Sequence, residues 1–245
     1  MKFKYILAGA GALLASSGAM AGNLAGNVSV VSDYMFRGID QSVVGAAVQG
    51  GVDYGWDMGA YAGAWVTNSA IGGGNEADVY GGYSLKLGQF DLDAGAIYYG
   101  YTEDTENNPV LGVNHNFDYA EVYVGGSFGP GSLKVFYTPK YGKDVGLVTG
   151  NDKKDSALYA TASVMVTLTD TVSLTPQVGY STGDGVKDAF GDNYLDYSIT
   201  ATKKLKDDFS VSVAVVGTNL KDFNGVPGNK DNPKFVLGVK KNFNI

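Results

Sequence analysis

Glu76-Ala77-Asp78-Val79-Tyr80-Gly81-Gly82-Tyr83-Ser84-Leu85-Lys86-Leu87 alternates in chemistry along its whole length. Ala77, Val79, Gly81, Tyr83, Leu85 and Leu87 fall on one face of an extended chain. Glu76, Asp78, Tyr80, Gly82, Ser84 and Lys86 fall on the other. Successive strand side chains point to opposite faces, so this stretch builds a sheet with one apolar and one wet side. The pattern recurs after residue 26 and predicts about twelve strands, over 27–38, 45–56, 58–68, 76–87, 89–101, 117–128, 131–141, 155–168, 170–182, 193–206, 208–220 and 232–243. Asp57, Gly88, Gly129-Pro130-Gly131, Thr169 and Asp207 mark tight turns; 69–75, 102–116, 142–154, 183–192 and 221–231 are longer polar loops. The two kinds of connection alternate. This is the rhythm of an all-β, closed, antiparallel, up-and-down transmembrane barrel, with short periplasmic turns and longer external loops.

The N-terminus agrees with export. Lys2 and Lys4 precede an apolar run from Ile6 to Ala15, and Ala19-Met20-Ala21 has the form of a cleavage site. Such a segment is a secretory signal, too short for a membrane-spanning helix. Cleavage is expected after Ala21, with 22–245 forming one barrel domain in the outer membrane of a Gram-negative bacterium. The chain has 36 glycines and 17 tyrosines, which suit curved strands and an aromatic interface belt. It has no cysteine, which removes thiol chemistry and thiolate metal sites. With 18 Lys and Arg against 25 Asp and Glu, no basic patch suggests a nucleic-acid partner. No cofactor is implied. The expected partners are outer-membrane lipid, the machinery that assembles outer-membrane barrels, and small polar solutes or ions. Nothing marks a subunit interface.

The expected lipid face carries aromatics at both ends. Tyr54, Trp56, Phe90, Phe128, Phe209 and Phe243 lie near the short turns, and Phe36, Tyr98, Tyr180 and Phe235 near the long loops. Aromatic rings favour the headgroup level. Lys203 and Lys241 are the outward lysines, both near short turns, where a charge costs only ~0–1 kcal/mol. Pro139 and Pro176 each remove a ladder hydrogen bond, so a bulge or fraying is expected at Pro176.

The expected lumen face is mixed in charge. It carries Asp33, Asp53, Glu76, Asp78, Asp91, Asp93, Glu121 and Asp196 against Arg37, Lys86, Lys134, Lys140, Lys204, Lys234 and Lys240, with Gln49 among them. Twelve strands leave a backbone cylinder of roughly 12 Å radius, part of it taken by side chains. Charge rings set selectivity in pores. Arg37, the single arginine, reads either as a constriction residue or as an ion-pair clamp to Asp33, Asp40 or Asp196.

Ser32-Asp33-Tyr34-Met35-Phe36-Arg37-Gly38-Ile39-Asp40-Gln41-Ser42, with Gln49-Gly50-Gly51-Val52-Asp53-Tyr54 and Gly59-x-Tyr61-x-Gly63-x-Trp65, resembles the TorF-like porins of Gram-negative bacteria, long catalogued as a family of unknown function. The resemblance is strongest over residues 27–68. It implies an outer-membrane channel and says little of the solute. The C-terminus departs from the pattern, because Phe243 is followed by Asn244-Ile245 where such barrels commonly end on an aromatic residue.

Passive diffusion of ions or small polar solutes is therefore the expected function. A non-conducting structural or receptor barrel is the alternative, and an outer-membrane hydrolase a distant third. His115, the single imidazole, stands between Asn114 and Asn116 with no H-x-S arrangement, and reads as a loop histidine rather than a catalytic one. The Asp/Gly-rich segment 183–193 offers oxygen ligands for Ca²⁺ but lacks EF-hand spacing and its distal Glu. Gly72-Gly73-Gly74 reads as a loop tip.

Overall fold

Side chains that alternate with period two leave the chain little choice but to pair edge to edge, and here the pairing closes on itself. The computed structural model describes residues 23–42, 45–68, 74–101, 118–141, 156–220 and 233–244. Twelve antiparallel strands form one barrel: β1 Asn23–Val31, β2 Ala47–Gly55, β3 Ala60–Thr67, β4 Glu76–Leu87, β5 Phe90–Tyr101, β6 Tyr119–Phe128, β7 Gly131–Thr138, β8 Ala157–Val164 continuing as Val166–Thr167, β9 Val172–Thr182, β10 Tyr194–Lys204, β11 Phe209–Thr218 and β12 Lys234–Asn244. Each pairs with its neighbours in sequence, and β1 also pairs with β12 from Ala25↔Asn244 to Val31↔Gly238. That pairing leaves no edge strand, which is the condition for a sheet in hydrocarbon.

The outward face is apolar and open. Val48, Val52, Val66, Val79, Val122, Val124, Leu133, Val178, Ile199, Val213, Leu237 and Val239 are all exposed. An apolar belt of this extent on a folded chain marks contact with lipid or another apolar partner. Tyr54, Trp56, Phe90, Phe128, Phe209 and Phe243 flank it at the short-turn end, and Tyr98, Tyr180 and Phe235 at the other. Phe90 stacks on Phe128 at 4.9 Å, and Lys241 sits over Phe209 at 4.8 Å while donating to the backbone oxygen of Asp207. Phe36 is a correction: it is inside, edge-on to Tyr99 at 5.9 Å.

Glycine places the lumenal tyrosines. A Cβ on Gly63 would lie 2.5 Å from the Tyr80 ring, on Gly82 2.5 Å from the Tyr61 hydroxyl, and on Gly95 2.4 Å from the Tyr123 hydroxyl. Three rings therefore lie flat against the wall where a neighbouring strand has no side chain. This arrangement returns the packing that the glycines give up.

Three boundaries differ from the alternation. β7 ends at Thr138, so Pro139 and Lys140 fall in a bend beyond the sheet, with Lys140 exposed rather than lumenal. β8 breaks at Met165, across from Thr175 and Pro176, and the Met165 N–H donates to Pro130 instead at 2.9 Å. This is the fraying expected of a proline without an N–H. The largest difference is in β1, which stops at Val31, not at 38.

Candidate functional site: a hairpin across the lumen

Beyond Val31 the chain leaves the wall and turns inward. Ser32 still donates its N–H to Leu237 O at 2.9 Å, and its hydroxyl accepts from the Leu237 N–H at 3.0 Å. Met35–Phe36 then pairs with Ile39–Asp40 as a two-residue ladder, extended by Gln41 N–H to Tyr34 O at 2.7 Å. Arg37 (φ 49°) and Gly38 (φ 78°) both occupy the left-handed region, as the two central residues of a type I′ hairpin turn do. The turn is flush with the wall: a Cβ on Gly38 would meet Asp196 Cβ and Thr218 Cγ2, each at 2.6 Å.

The hairpin reaches the wall on several sides. Its apolar residues join the clusters that fill the long-loop half of the lumen. Phe36 packs among Ile97, Tyr99, Tyr119, Tyr123, Phe136 and Tyr159; Met35 among Ala214, Val216 and Val236; Ile39 among Ala157, Val186 and Tyr194. Its polar residues are anchored as well. Tyr34 donates its hydroxyl to Glu76 at 3.0 Å, Lys234 contacts Asp33 at 3.4 Å and pairs with Asp40, and Arg37 Nη2 meets Glu121 Oε2 at 2.5 Å. The guanidinium also lies 4.3 Å from the Tyr159 ring centroid and 4.8 Å from that of Phe36. Such cation–π contacts gain strength where water is excluded.

Arg37 is therefore an ion-paired lumenal residue, but not in β1 and not with the expected partners. Asp33 and Asp40 belong to Lys234, and Asp196 accepts from the Tyr159 hydroxyl at 3.2 Å. The partner, Glu121, came from the lumen face of β6, which sequence spacing does not connect to Arg37.

Most candidates on the twelve strands fall on the less exposed side of the alternation. Glu76, Asp78, Glu121, Asp196, Asp53 and Gln49 are buried, the last within 3.5 Å of the Ser29 hydroxyl. Asp53 accepts from Tyr80 at 2.5 Å. Tyr61 donates to Asp93 at 2.6 Å and lies 2.5 Å from the Tyr123 hydroxyl, while Lys134 pairs with Asp93 at 2.7 Å over the Tyr123 ring. Lys240 is half-buried. Towards the short-turn mouth, Lys86 contacts Asp91 at 3.3 Å, and Lys86 and Lys204 are exposed. The buried lumenal side chains thus concentrate at the long-loop half, and the charges near the short turns are exposed or half-buried.

Sequence reading missed the tyrosines that partner these carboxylates. It also missed a helix, α1 Asp184–Phe190, in the Asp/Gly-rich segment. Gly185, Val186 and Ala189 are buried there, and Val186 packs beside Ile39 and Tyr194. The segment caps the lumen filling, and among the described residues no acidic or His cluster is arranged to hold a metal. His115, Gly72 and Gly73 lie outside the described residues.

A family model described as "Bacterial protein of unknown function (Gcw_chp)" matches residues 15–243. The chain belongs to the Gcw_chp family. No curated protein matches its sequence. The Gcw_chp barrel is similar to the solved KdgM porin, at 11% identity over 90% of this chain and 99% of that one, with a TM-score of 0.53. It is also similar to the NanC porin, at 14% identity over 89% and 97%, with a TM-score of 0.54. At such identities the likeness is one of fold: this chain has the barrel of outer-membrane porins.

Proposed function

We propose that this protein is an outer-membrane channel for passive diffusion of ions or small polar solutes. The observation that carries the proposal is a closed barrel, apolar outside, whose inward face carries ion pairs and hydroxyls between three separate apolar clusters. The candidate lining residues are Asp33, Arg37, Gln49, Asp53, Glu76, Asp78, Lys86, Asp91, Asp93, Glu121, Lys134, Asp196, Lys204, Lys234 and Lys240. Rings of fixed charge of both signs are what bias ion passage in pores. The porin fold of the KdgM and NanC proteins, and the resemblance of the residues 27–68 to TorF-like porins, support the same reading. One solved KdgM structure is described as a complex with disordered oligogalacturonate. In this reading residues 1–21 direct export and are removed, the barrel lies in the outer membrane with its long loops external, and lipid covers the belt.

The hairpin favours one second reading, a non-conducting barrel that works through its external surface. Planar-bilayer recordings of the refolded protein separate the two. Discrete current steps support the channel; silence from a folded, SDS-resistant barrel supports the second reading.

A further inference from the structure

The hairpin bridges the lumen along two chords. At its tip, Gly38 abuts β10 and β11 through Asp196 and Thr218, while Arg37 holds Glu121 of β6. In a ring of twelve, β6 and β11 stand five strands apart, nearly opposite one another. At its root, Asp33 and Asp40 hold Lys234 of β12 while Tyr34 holds Glu76 of β4, four strands away across β1. A segment tied to walls five strands apart at its tip and four apart at its root occupies part of the cross-section between them.

We propose that the Ser32–Ser42 hairpin is the size filter of the channel, and that the Arg37–Glu121 pair is the latch holding its tip across the lumen. The proposal rests on the channel reading.

Tip and root are held differently. The root is tied to the wall by two backbone-to-Ser32 hydrogen bonds and by Lys234 between two carboxylates. The tip's ion pair with β6 runs through a single oxygen, because Glu121 Oε2 takes both the Arg37 nitrogen and the Tyr99 hydroxyl, the latter at 3.1 Å. Arg37 Nε and Glu121 Oε1 are buried with no hydrogen-bond partner, so the pair lacks the two-point fork that guanidinium and carboxylate can form. Arg37 also holds a left-handed φ that a residue with a Cβ rarely adopts. Swinging the tip away from β6 would let water reach both orphaned atoms and relax the turn, while the root stays in place. The latch is therefore the point at which a small chemical change should widen the passage without dismantling the barrel.

The test compares the native chain, Glu121→Gln, and a shortened chain with residues 33–41 replaced by Gly-Ser-Gly. Each is refolded, checked for heat-modifiable migration in SDS, and recorded in planar bilayers with polyethylene glycols of graded size. Glu121→Gln should raise single-channel conductance at least two-fold and admit larger polymers, and the shortened chain should go further. A silent native chain beside a conducting Glu121→Gln variant would overturn the filter, since the hairpin would then close the lumen instead of sizing it. Equal steps and equal polymer cut-offs in all three would overturn the filter while leaving the channel standing. A wider shortened chain with an unchanged Glu121→Gln would overturn the latch. Silence from three folded barrels would remove the channel reading itself. If the shortened chain does not fold, the Glu121→Gln comparison decides alone.

Discussion

Arg37 carries its charge at 2% side-chain exposure, against a carboxylate at 1%. A pair so placed has little water to fall back on if one member is lost. Replacing one partner of a buried pair typically costs about 3–5 kcal/mol, because the other charge is left without compensation. Arg37→Gln should therefore lower the temperature at which the SDS-resistant form is lost, and an unchanged transition would contradict the pairing. If the lumen conducts, the same variant should move the reversal potential toward cations, and Asp33→Asn, beside Lys234, should move it the other way. A lumenal charge acts within the ~8 Å screening length at physiological salt, so single substitutions suffice. The glycines give a second residue-scale test. A Cβ on Gly95 would stand 2.4 Å from the carbonyl of Gly81 and from the Tyr123 hydroxyl, whereas Gly131 has 3.6 Å to its nearest neighbour. Gly95→Ala should cost about 1–3 kcal/mol through overpacking. Gly131→Ala should stay within about 0.5 kcal/mol, as changes away from such features do. Equal losses in thermal unfolding would count against flat tyrosines on a glycine wall.

Among the elements, β4 has the bounds its alternation predicts, because lipid on one side and water on the other leave each residue a single permissible direction. Val164 and Val213 are outward and exposed, while the neighbouring Ser163 meets the Ser132 hydroxyl at 2.8 Å and Ser212 faces Gly238 inside. Arginine at Val164 or Val213 should cost roughly 2–4 kcal/mol in folding into bilayers, and much less at Ser163 or Ser212. Similar damage within a pair would break the register. Where the alternation misled, its physical cause is visible. Asp33, Met35 and Arg37 keep the parity of β1 past Val31, so the pattern alone does not show where the strand ends. Only the turn does, and arginine is not a residue that advertises a left-handed backbone. Helix α1 is hidden for another reason: seven residues with Val186 and Ala189 three apart are too few to show a helical period among Asp and Gly turn formers. Parity puts Asp53, Glu76, Asp78, Glu121 and Asp196 on the side where they are buried, but it misplaces Lys140 and does not show that Asp33 and Arg37 leave the wall. The Arg37–Glu121 and Tyr–carboxylate partnerships were not legible from it, since they join strands through three-dimensional closure rather than through spacing.

At the scale of the whole molecule, the short turns, the start of β1 at Asn23 and the end of β12 at Asn244 lie on one side, and the strand ends that the long connections join lie on the other. If the long connections are external, tags in 102–116 or 183–192 should label on intact cells and a tag at Asp207 should not. Reversed labelling would invert the orientation, and labelling at all three would break the topology. The hairpin adds to the barrel's interior, since Met35 and Ile39 belong to two of the three buried clusters and Phe36 packs against the third. Between these clusters the hairpin meets the wall through the Arg37–Glu121, Lys234–Asp40 and Tyr34–Glu76 contacts. The most direct measurement is current through the refolded protein in a planar bilayer, with a salt gradient for selectivity. The account predicts discrete steps with a reversal potential displaced from zero; a folded, SDS-resistant barrel that passes no current would contradict it.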